Sequence, residues 1–378
     1  MQRDSGAPLY EFFAGGGLAR LGLAGDFACV FANDIDPAKG RAYRAAFPDA
    51  AMREDDIWAL SAADLPGQAA LAWASFPCQD LSLAGARRGL AAPRSGAFWG
   101  FHRLIEKLSQ EERAPHVLAL ENVCGLLSSH GGADFTALVH ALDDLGYRVG
   151  ALEMDAALFT PQSRPRLFVI AARTLVPGVV AAGPCDPFHT PALRAVVARM
   201  PEGLRKRFVW WRLDAPPKRN ARLAELIDER DGAWDAPEKT QKLLEQMSPL
   251  QRARVDALRE SGERAVGAVF RRIRIEHGAR VQRAEARFDG LAGCLRTPAG
   301  GSSRQILLFV ENGHVRSRLL SPREAARLMG APDHYPLPDS QTAALHLLGD
   351  GVCVPVVRWL SNHLLAPLAG AAGLRKTA

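Results

Sequence analysis

The chain has 378 residues, of which 48% are hydrophobic and 23% charged, so it can bury a sizeable core, and its length suggests two domains or one large domain with an insertion. No apolar run approaches the roughly 18 residues of a membrane span, and residues 1–6 lack the apolar stretch of a signal peptide. We therefore expect a cytoplasmic protein with no membrane partner. The cysteines form no Cys-x-x-Cys pair, which argues against a zinc site and against a disulfide framework.

The first 175 residues alternate short apolar runs with segments of helical spacing, such as residues 101–108. This alternation predicts βαβ units and a mostly parallel α/β sheet. The predicted strands are residues 9–13, 28–32, 71–76, 117–120 and 167–172.

The first predicted strand runs into a glycine-rich turn and then a helix. Glycine lets a ligand approach the backbone closely at a helix N-terminus. Gly15 and Gly17 fit the first two positions of the dinucleotide-binding fingerprint, but Arg20 occupies the third. The turn alone is therefore a weak signal for a nucleotide-type ligand.

Two acids compete for a ligand role at the end of the second strand. An acid about 20 residues past the glycines is where ribose hydroxyls are held in nucleotide-binding sheets. Asp36 precedes Pro37 and has the pattern of a helix N-cap, so Asp34 is the better ribose ligand. Asp56 and Ile57 follow a third connection and could reach an adenine amino group.

Cys78 directly follows the predicted strand 71–76 and Pro77. Because proline lacks an N–H, strand pairing should stop there, and the thiol should lie on a loop at the mouth of a cleft. Small and basic residues between 82 and 89 follow, as a mobile basic loop would need. The alternative is a buried cysteine that packs as a small hydrophobe.

Charged residues stand at two more strand ends. Glu121 follows strand 117–120, where loss of solvent could keep it protonated as a hydrogen-bond donor; a surface acid is the alternative. Arg164 and Arg166 lead into strand 167–172, and side chains two residues apart in an extended segment point to the same side. They could clamp a nucleotide, a phosphate or a carboxylate, or form surface ion pairs.

The pattern changes after Pro177, because prolines and glycines cluster between 177 and 191 and mark a domain boundary. Residues 201–290 contain 20 Lys and Arg against 15 Asp and Glu, which holds nearly all of the net charge of +6. This excess suggests a polyanion partner, and a solvated basic face is the alternative. Residues 238–260 predict polar helices interrupted near Pro249, and residues 269–275 and 279–288 predict a hairpin. Ser321 begins a helix with a capping box.

Taken together, these motifs resemble one family, the DNA (cytosine-5)-methyltransferases. The resemblance rests on Phe13-Ala14-Gly15, Phe76-Pro77-Cys78-Gln79, Glu121-Asn122-Val123, Gln162-x-Arg164-x-Arg166, Arg318 to Glu324, and Gly349-Asp350-Gly351 in the family's order and spacing. Residues 296–301 resemble the Thr and Gly-Gly element of the family's target recognition domain. Three positions depart from the pattern: Leu18 replaces a glycine, Ile35 an aromatic residue that stacks on adenine, and Asp350 an asparagine.

The resemblance implies a doubly wound catalytic domain at 1–189, an inserted target recognition domain at 190–315 and a return to the catalytic domain at 316–378. It implies methyl transfer from S-adenosyl-L-methionine to carbon 5 of a flipped cytosine in duplex DNA, by a monomeric bacterial enzyme without a metal. The implied catalytic residues are Cys78, Glu121 and Arg164. The implied cofactor-binding residues are Phe13, Ala14, Gly15, Gly17, Asp34, Ile35, Asp56, Ile57 and Pro77. The implied substrate-binding residues are Gln79, Ser82, Arg87, Arg166, Arg271, Arg274, Thr297, Gly300 and Gly301.

Three other functions remain open at this point. An RNA cytosine methyltransferase would use the same large domain, although the basic insertion argues for duplex DNA. A nicotinamide dehydrogenase could share the sheet but would not need Cys78, Glu121 and Arg164 together. A non-catalytic DNA-binding protein would require a degraded site, and the motif residues are all present.

Overall fold

The computed structural model describes residues 6–77, 96–276, 278–297 and 304–371. Contacts between these residues divide the chain into two compact units. The first unit contains the described residues up to Asp155, then Pro165–Pro217, then those from Val356 onward. The second unit contains Ala156–Arg164 and the described residues of Lys218–Pro355.

The strands are β1 (Ala7–Phe12), β2 (Phe27–Asn33), β3 (Met52–Arg53), β4 (Leu71–Ala74), β5 (Val117–Asn122), β6 (Arg148–Asp155), β7 (Pro165–Ala172), β8 (Val180–Ala181), β9 (Trp210–Trp211), β10 (Ala265–Glu276), β11 (Ala279–Arg287), β12 (Ile306–Glu311) and β13 (His314–Leu319). The α-helices are α1 (Leu18–Leu23), α2 (Pro37–Ala46), α3 (Ala97–Gln110), α4 (Ala133–Asp144), α5 (Pro191–Ala198), α6 (Glu202–Arg207), α7 (Leu223–Leu226), α8 (Pro237–Glu245), α9 (Pro249–Ser261), α10 (Pro322–Leu328), α11 (Gln341–Asp350), α12 (Val354–Leu360) and α13 (Ala366–Gly370).

The first unit is built on a seven-stranded sheet in the order β3-β2-β1-β4-β5-β7-β6. Strands β1 to β5 run parallel, and β7 is antiparallel to both of its neighbours. The predicted mostly parallel α/β sheet is therefore confirmed. The strands β3 and β6 were not predicted. Strand β3 has only two residues, and β6 pairs antiparallel with the next strand, β7, so it does not belong to a βαβ unit.

The core of the first unit lies between the sheet and its helices. Strand residues such as Leu118 and Val169 pack with Phe101 and Leu104 of α3 and Leu138 of α4, all of them fully or almost fully buried. Because a parallel sheet is covered on both faces, its strands are continuous apolar runs, which is why the sequence revealed them.

The second unit contains a four-stranded antiparallel sheet in the order β11-β10-β12-β13. Leu243 and Leu244 of α8, Val255 of α9 and Met247 between the two helices form a core against this sheet. The predicted hairpin is confirmed by the pairing of β10 with β11, and the predicted break near Pro249 separates α8 from α9.

Ser321 caps α10 as the sequence predicted. Its hydroxyl accepts the N–H of Glu324, and the Glu324 carboxylate accepts the N–H of Ser321, which completes the capping box. Glu324 also forms a fully buried ion pair with Arg318 at 2.6 Å.

The compact units divide the chain differently from the predicted boundaries at 189 and 315. Residues 190–217 belong with the first unit because Leu193, Val196 and Phe208 are buried in the core of its sheet. Residues 316–355 belong with the second unit. The change between units falls beside Pro216 and Pro217 rather than in the earlier proline-rich stretch.

Within the part of the chain that the structure describes, Gln341–Gly370 is long and apolar enough to cross a membrane by length and composition alone. Half of its most apolar window is buried inside the protein, and core helices of soluble proteins meet the same criterion. The stretch is also interrupted between α11 and α12.

Candidate active site

The order of the sheet reverses between β1 and β4, because the chain runs outward from β1 to β2 and β3 and then returns to β4 and β5. In open α/β sheets ligands bind beyond the carboxyl ends of the strands at such a reversal. The glycine-rich turn follows β1, and the segment that leads to Cys78 follows β4. Two of the predicted motifs therefore leave the sheet from adjacent strands.

The turn after β1 has an unusual backbone. Phe13, Gly15 and Gly17 have φ angles of 55°, 56° and 77°, in the left-handed region that favours glycine. Among the described residues, a Cβ atom at Gly15 would meet nothing within 4 Å, whereas one at Gly17 would lie 2.4 Å from the Phe47 ring. Gly17 thus allows close packing beneath the turn, and Gly15 leaves open space beside it.

Asp34 holds this turn in place. Its Oδ2 accepts the N–H of Gly15 at 2.9 Å, and its Oδ1 accepts the N–H of Asp36 at 2.9 Å. Asp36 in turn caps α2 by accepting the N–H of Ala38, as predicted. The carboxylate of Asp34 is largely buried, and each oxygen keeps a further lone pair for a ligand.

The side chains near the ends of β2 and β3 differ in exposure. Ile35 is 63% exposed, so it can contact a ligand. Asp56 accepts the N–H of Trp58 at 3.0 Å. Ile57, in contrast, is buried in the core and packs against Gly100, where a Cβ atom would lie 2.6 Å from its Cγ2. The side chain of Ile57 is therefore a core group, and it is not available to contact a ligand.

Glu11 contacts the helices that follow β1 and β2, and no motif in the sequence singled it out. It lies in β1, is fully buried, and accepts a hydrogen bond from the Tyr43 hydroxyl at 2.6 Å and from the N–H of Arg20 at 3.3 Å. Burial raises the pKa of Glu11 to about 7, although Tyr43 and Arg20 lower it. Glu11 thereby holds the first turn of α1, which has no capping side chain. The sequence signal that could have identified Glu11 is a charged residue inside an otherwise apolar strand.

The end of β4 is anchored by β5. The Asn122 side chain donates to the backbone oxygen of Phe76 at 3.0 Å, and both residues are buried. Pro77 is exposed. The predicted residues Cys78, Gln79, Ser82 and Arg87 lie outside the described residues.

Glu121 and Arg166 come together at the adjacent ends of β5 and β7. Arg166 Nε lies 3.1 Å from Glu121 Oε1, and both side chains are mostly buried. Cys124 and Glu153 lie nearby: burial and Glu153 raise the pKa of the Cys124 thiol to about 12, although Arg166 lowers it. Cys124 therefore stays a thiol at neutral pH.

Arg164 is buried among backbone groups of the second unit. It belongs to the second unit, is 2% exposed, and donates to the backbone oxygens of Leu295, Gly349 and Gly351 at 2.5, 2.8 and 2.6 Å. Strand β7 begins at Pro165, so the alternation rule for extended segments does not apply to Arg164. Arg164 is thus held by backbone oxygens of the second unit, whereas Arg166 is the partner of Glu121; the catalytic role of Arg164 stays a prediction.

Arg271, Arg274 and Thr297, which were predicted to contact the substrate, lie in the second unit. Arg271 and Arg274 lie on β10, and Arg274 is paired with Glu285, with its Nε at 2.9 Å. Thr297 donates its hydroxyl to Asp350. Gly300 and Gly301 lie outside the described residues. Within the described ranges, no group of three or more His, Cys, Asp or Glu side chains could hold a metal ion.

The model of the C-5 cytosine-specific DNA methylase family matches residues 8–366. The chain belongs to this family. As a family member it is a DNA cytosine methyltransferase, and methyltransferases of this fold generally use S-adenosylmethionine.

Several curated relatives of this DNA cytosine methyltransferase align along most of its length. Type II methyltransferase M.NlaX from Neisseria lactamica is 26% identical and covers 96% of this chain and 97% of its own. Type II methyltransferase M.HhaI from Haemophilus parahaemolyticus is 25% identical, and the alignment covers 95% of this chain and 94% of that protein. Type II methyltransferase M.PspPI from Psychrobacter sp. is 35% identical over 44% of this chain and 39% of its own.

Solved structures support the same fold for this methyltransferase. The Dnmt2 methyltransferase of S. pombe superposes with a TM-score of 0.58 at 17% identity, covering 94% of this chain and 96% of that one. A DNA modification methyltransferase encoded within an E. coli prophage superposes with a TM-score of 0.51 at 17% identity, covering 97% and 99%.

Proposed function

We propose that this enzyme methylates carbon 5 of a flipped cytosine in a specific duplex DNA sequence through a covalent adduct with Cys78. The ion pair of Glu121 with Arg166 is the observation that carries the proposal. It lies at the end of β5, the strand whose Asn122 holds the backbone just before Pro77 and Cys78. The base-binding pair at the end of β5 and the nucleophile that follows β4 would thus lie at the ends of neighbouring strands.

The glycine turn and its surroundings fit S-adenosyl-L-methionine. Gly15 faces open space, Asp34 offers carboxylate lone pairs to ribose hydroxyls, and Ile35 offers an exposed apolar surface to adenine. We assign the remaining contacts to Phe13, Ala14, Gly17, Asp56, Pro77 and the backbone of Ile57. When bound, the cofactor supplies an electrophilic methyl group on a positively charged sulfur.

The pair of Glu121 and Arg166 complements the hydrogen-bonding edge of cytosine. In this assignment Arg166 donates to the O2 atom of the base, while Glu121 hydrogen-bonds N3 and the N4 amino group. These contacts strengthen as negative charge develops on the ring, and so favour the transition state over the ground state.

The thiolate of Cys78 would add to carbon 6 of the ring, because carbon 5 of cytosine is a poor nucleophile until the ring becomes an enamine. Carbon 5 then accepts the methyl group, and loss of its proton expels the thiolate. The target atom is inaccessible inside a duplex, so the base must leave the stack at a cost of a few kcal/mol.

We assign sequence recognition to the second unit. It contains most of the basic segment 201–290, together with Arg271 and the segment that includes Thr297. The relatives named Type II methyltransferases support a role in the modification half of a restriction-modification system. Such an enzyme would act as a monomer on DNA in the bacterial cytoplasm.

Replacing Asp34 with alanine is expected to weaken S-adenosyl-L-methionine binding by about 1–3 kcal/mol, because hydrogen bonds to a charged group are lost and Gly15 loses its anchor. Asp36→Ala is the matched control, since it removes the cap of α2 and should cost about 1 kcal/mol of stability instead. Calorimetric titration and urea unfolding of both variants would separate the effects. A larger affinity loss for Asp36→Ala would reverse the assignment.

The proposed mechanism can be tested by trapping the adduct. Bisulfite or nanopore mapping of DNA from expressing cells gives the methylated sequence. A duplex with 5-fluorocytosine at that position cannot lose a proton from carbon 5, so the methylated adduct should persist as a denaturant-resistant complex containing Cys78. Absence of methylated DNA, or methylation confined to RNA, would contradict the proposed substrate; methylation without a trapped complex would contradict the covalent route.

A further inference from the structure

The hairpin of β10 and β11, which we call the arm, extends beyond the helices that cover its base. Met247 and Gln246 reach the arm at Ala284, where Ala284 donates its N–H to the Gln246 backbone oxygen at 3.0 Å. Within the described residues, β10 pairs with β12 only as far as Val269. The outer half of the arm is therefore a two-stranded ribbon.

The register of the arm defines two faces. Directly opposed residues in an antiparallel pair point to the same side. The first, which we call the apolar face, contains Arg271, Ile273, Ile275, Arg280 and Gln282. The second, which we call the paired face, contains Phe270, Arg272, Arg274, Glu276, Arg283 and Glu285.

The charges of the paired face are satisfied within the arm. Arg274 forms an ion pair with Glu285, and Arg283 pairs with Glu276. Arg272 lies 3.5 Å from Glu285 and stacks over the Phe270 ring, 4.6 Å from its centroid. This face is close to neutral and has little charge to offer to a polyanion.

The apolar face has the opposite character. Ile273 is 56% exposed and Ile275 is 79% exposed, among the most exposed large hydrophobic side chains of the described residues. Their cross-strand neighbours are Gln282 and Arg280, and the face contains no acid. Arg280 forms no ion pair with a described carboxylate. The face thus combines exposed apolar groups, positive charge and an amide.

We propose that the apolar face of the arm enters a groove of the target duplex and reads its sequence. The major groove admits a two-stranded β-ribbon, apolar side chains contact the thymine methyl group, and Gln and Arg pair with adenine and guanine edges. The absence of acids on this face complements the phosphates that line the groove. The inference rests on the proposed function and deepens it, because it selects one face of the arm as the base-reading surface.

The two faces provide a matched test in the full-length protein. Binding of the mapped target duplex and of a scrambled duplex is measured over a salt series. Threonine has a high β-propensity, so the double variant Ile273→Thr with Ile275→Thr should keep the strand. It should reduce the preference for target over scrambled duplex by about 10-fold or more, without changing the slope of log affinity against log salt concentration. Ile273→Val with Ile275→Val should retain most of the preference. Arg280→Ala should reduce that slope by about one. Arg274→Ala on the paired face should leave it unchanged, in contrast to the substrate contact that the family resemblance implied for Arg274, because Arg274 is paired with Glu285.

Wild-type discrimination by the double threonine variant would overturn the inference. The inference would also be overturned if Arg274→Ala changed the salt dependence of DNA binding and Arg280→Ala did not. Sedimentation of wild type and the double variant tests the rival occupant: self-association that only the variant loses, with DNA binding unchanged, would assign the face to a second copy of the chain. Methylation of duplex DNA by the wild type, measured in parallel, shows whether a negative result concerns the arm alone or the proposed function as a whole.

Discussion

Cys78→Ser is expected to abolish methyl transfer while S-adenosyl-L-methionine still binds. A hydroxyl is far less nucleophilic than a thiolate near neutral pH, so the addition to carbon 6 should fail. The proposed cofactor contacts of Gly15, Asp34 and Ile35 lie at the ends of β1 and β2, and the thiol is not among the groups assigned to the cofactor. Tritium transfer to duplex DNA would measure turnover, and calorimetry would measure cofactor binding.

Cys185→Ser provides the control, because this cysteine lies between β8 and α5 and is not among the residues assigned to the site. It should retain close to wild-type turnover. Retention of more than a few percent of turnover by Cys78→Ser would rule out the covalent route, since removing a group that acts in the transition state costs about 100-fold or more.

Glu121→Gln and Arg166→Lys are each expected to lower kcat by about 10²–10³, because both groups act where charge develops on the base. The lysine side chain keeps the charge of Arg166 but loses the planar fork that holds a carboxylate and a base oxygen together. Arg164→Lys should behave differently. It leaves buried backbone oxygens of Leu295, Gly349 and Gly351 short of donors, which costs about 1–3 kcal/mol for each unpaired group.

Unfolding and kinetics together distinguish the two arginines. The Arg164 variant should lower the urea midpoint of unfolding, whereas the Arg166 variant should leave that midpoint nearly unchanged and lose turnover. A stable Arg164→Lys protein without turnover would return this residue to the catalytic role that its motif suggested.

Local signals explain what the sequence could predict. The parallel strands β1, β2, β4 and β5 are short apolar runs, and the caps at Asp36 and Ser321 are encoded by neighbouring residues. The pairing of Asp34 with the glycine turn was also within reach, because both lie at strand ends of one βαβ unit.

Contacts between distant segments explain what the sequence could not predict. The partners of Arg164 lie 131 to 187 residues further along the chain, so its motif could not distinguish it from Arg166. The burial of Ile57 depends on Gly100 in α3. The boundary between the units depended on whether α5 and α6 pack on the first sheet, which their own spacing does not reveal.

The last segment of the first unit, from Val356 onward, forms hydrogen bonds at the C-terminal end of α1. Arg358 donates to the backbone oxygens of Leu21 and Ala24 at the end of α1, and the Ser361 hydroxyl donates to Asp26 at 2.7 Å. These contacts join residues more than 330 positions apart. During synthesis, the ribosome therefore completes residues 218–355 before α1 receives these partners. The second unit can fold before the last segment of the first unit has been synthesised. The first unit should therefore complete its folding later and be exposed to chaperones for longer.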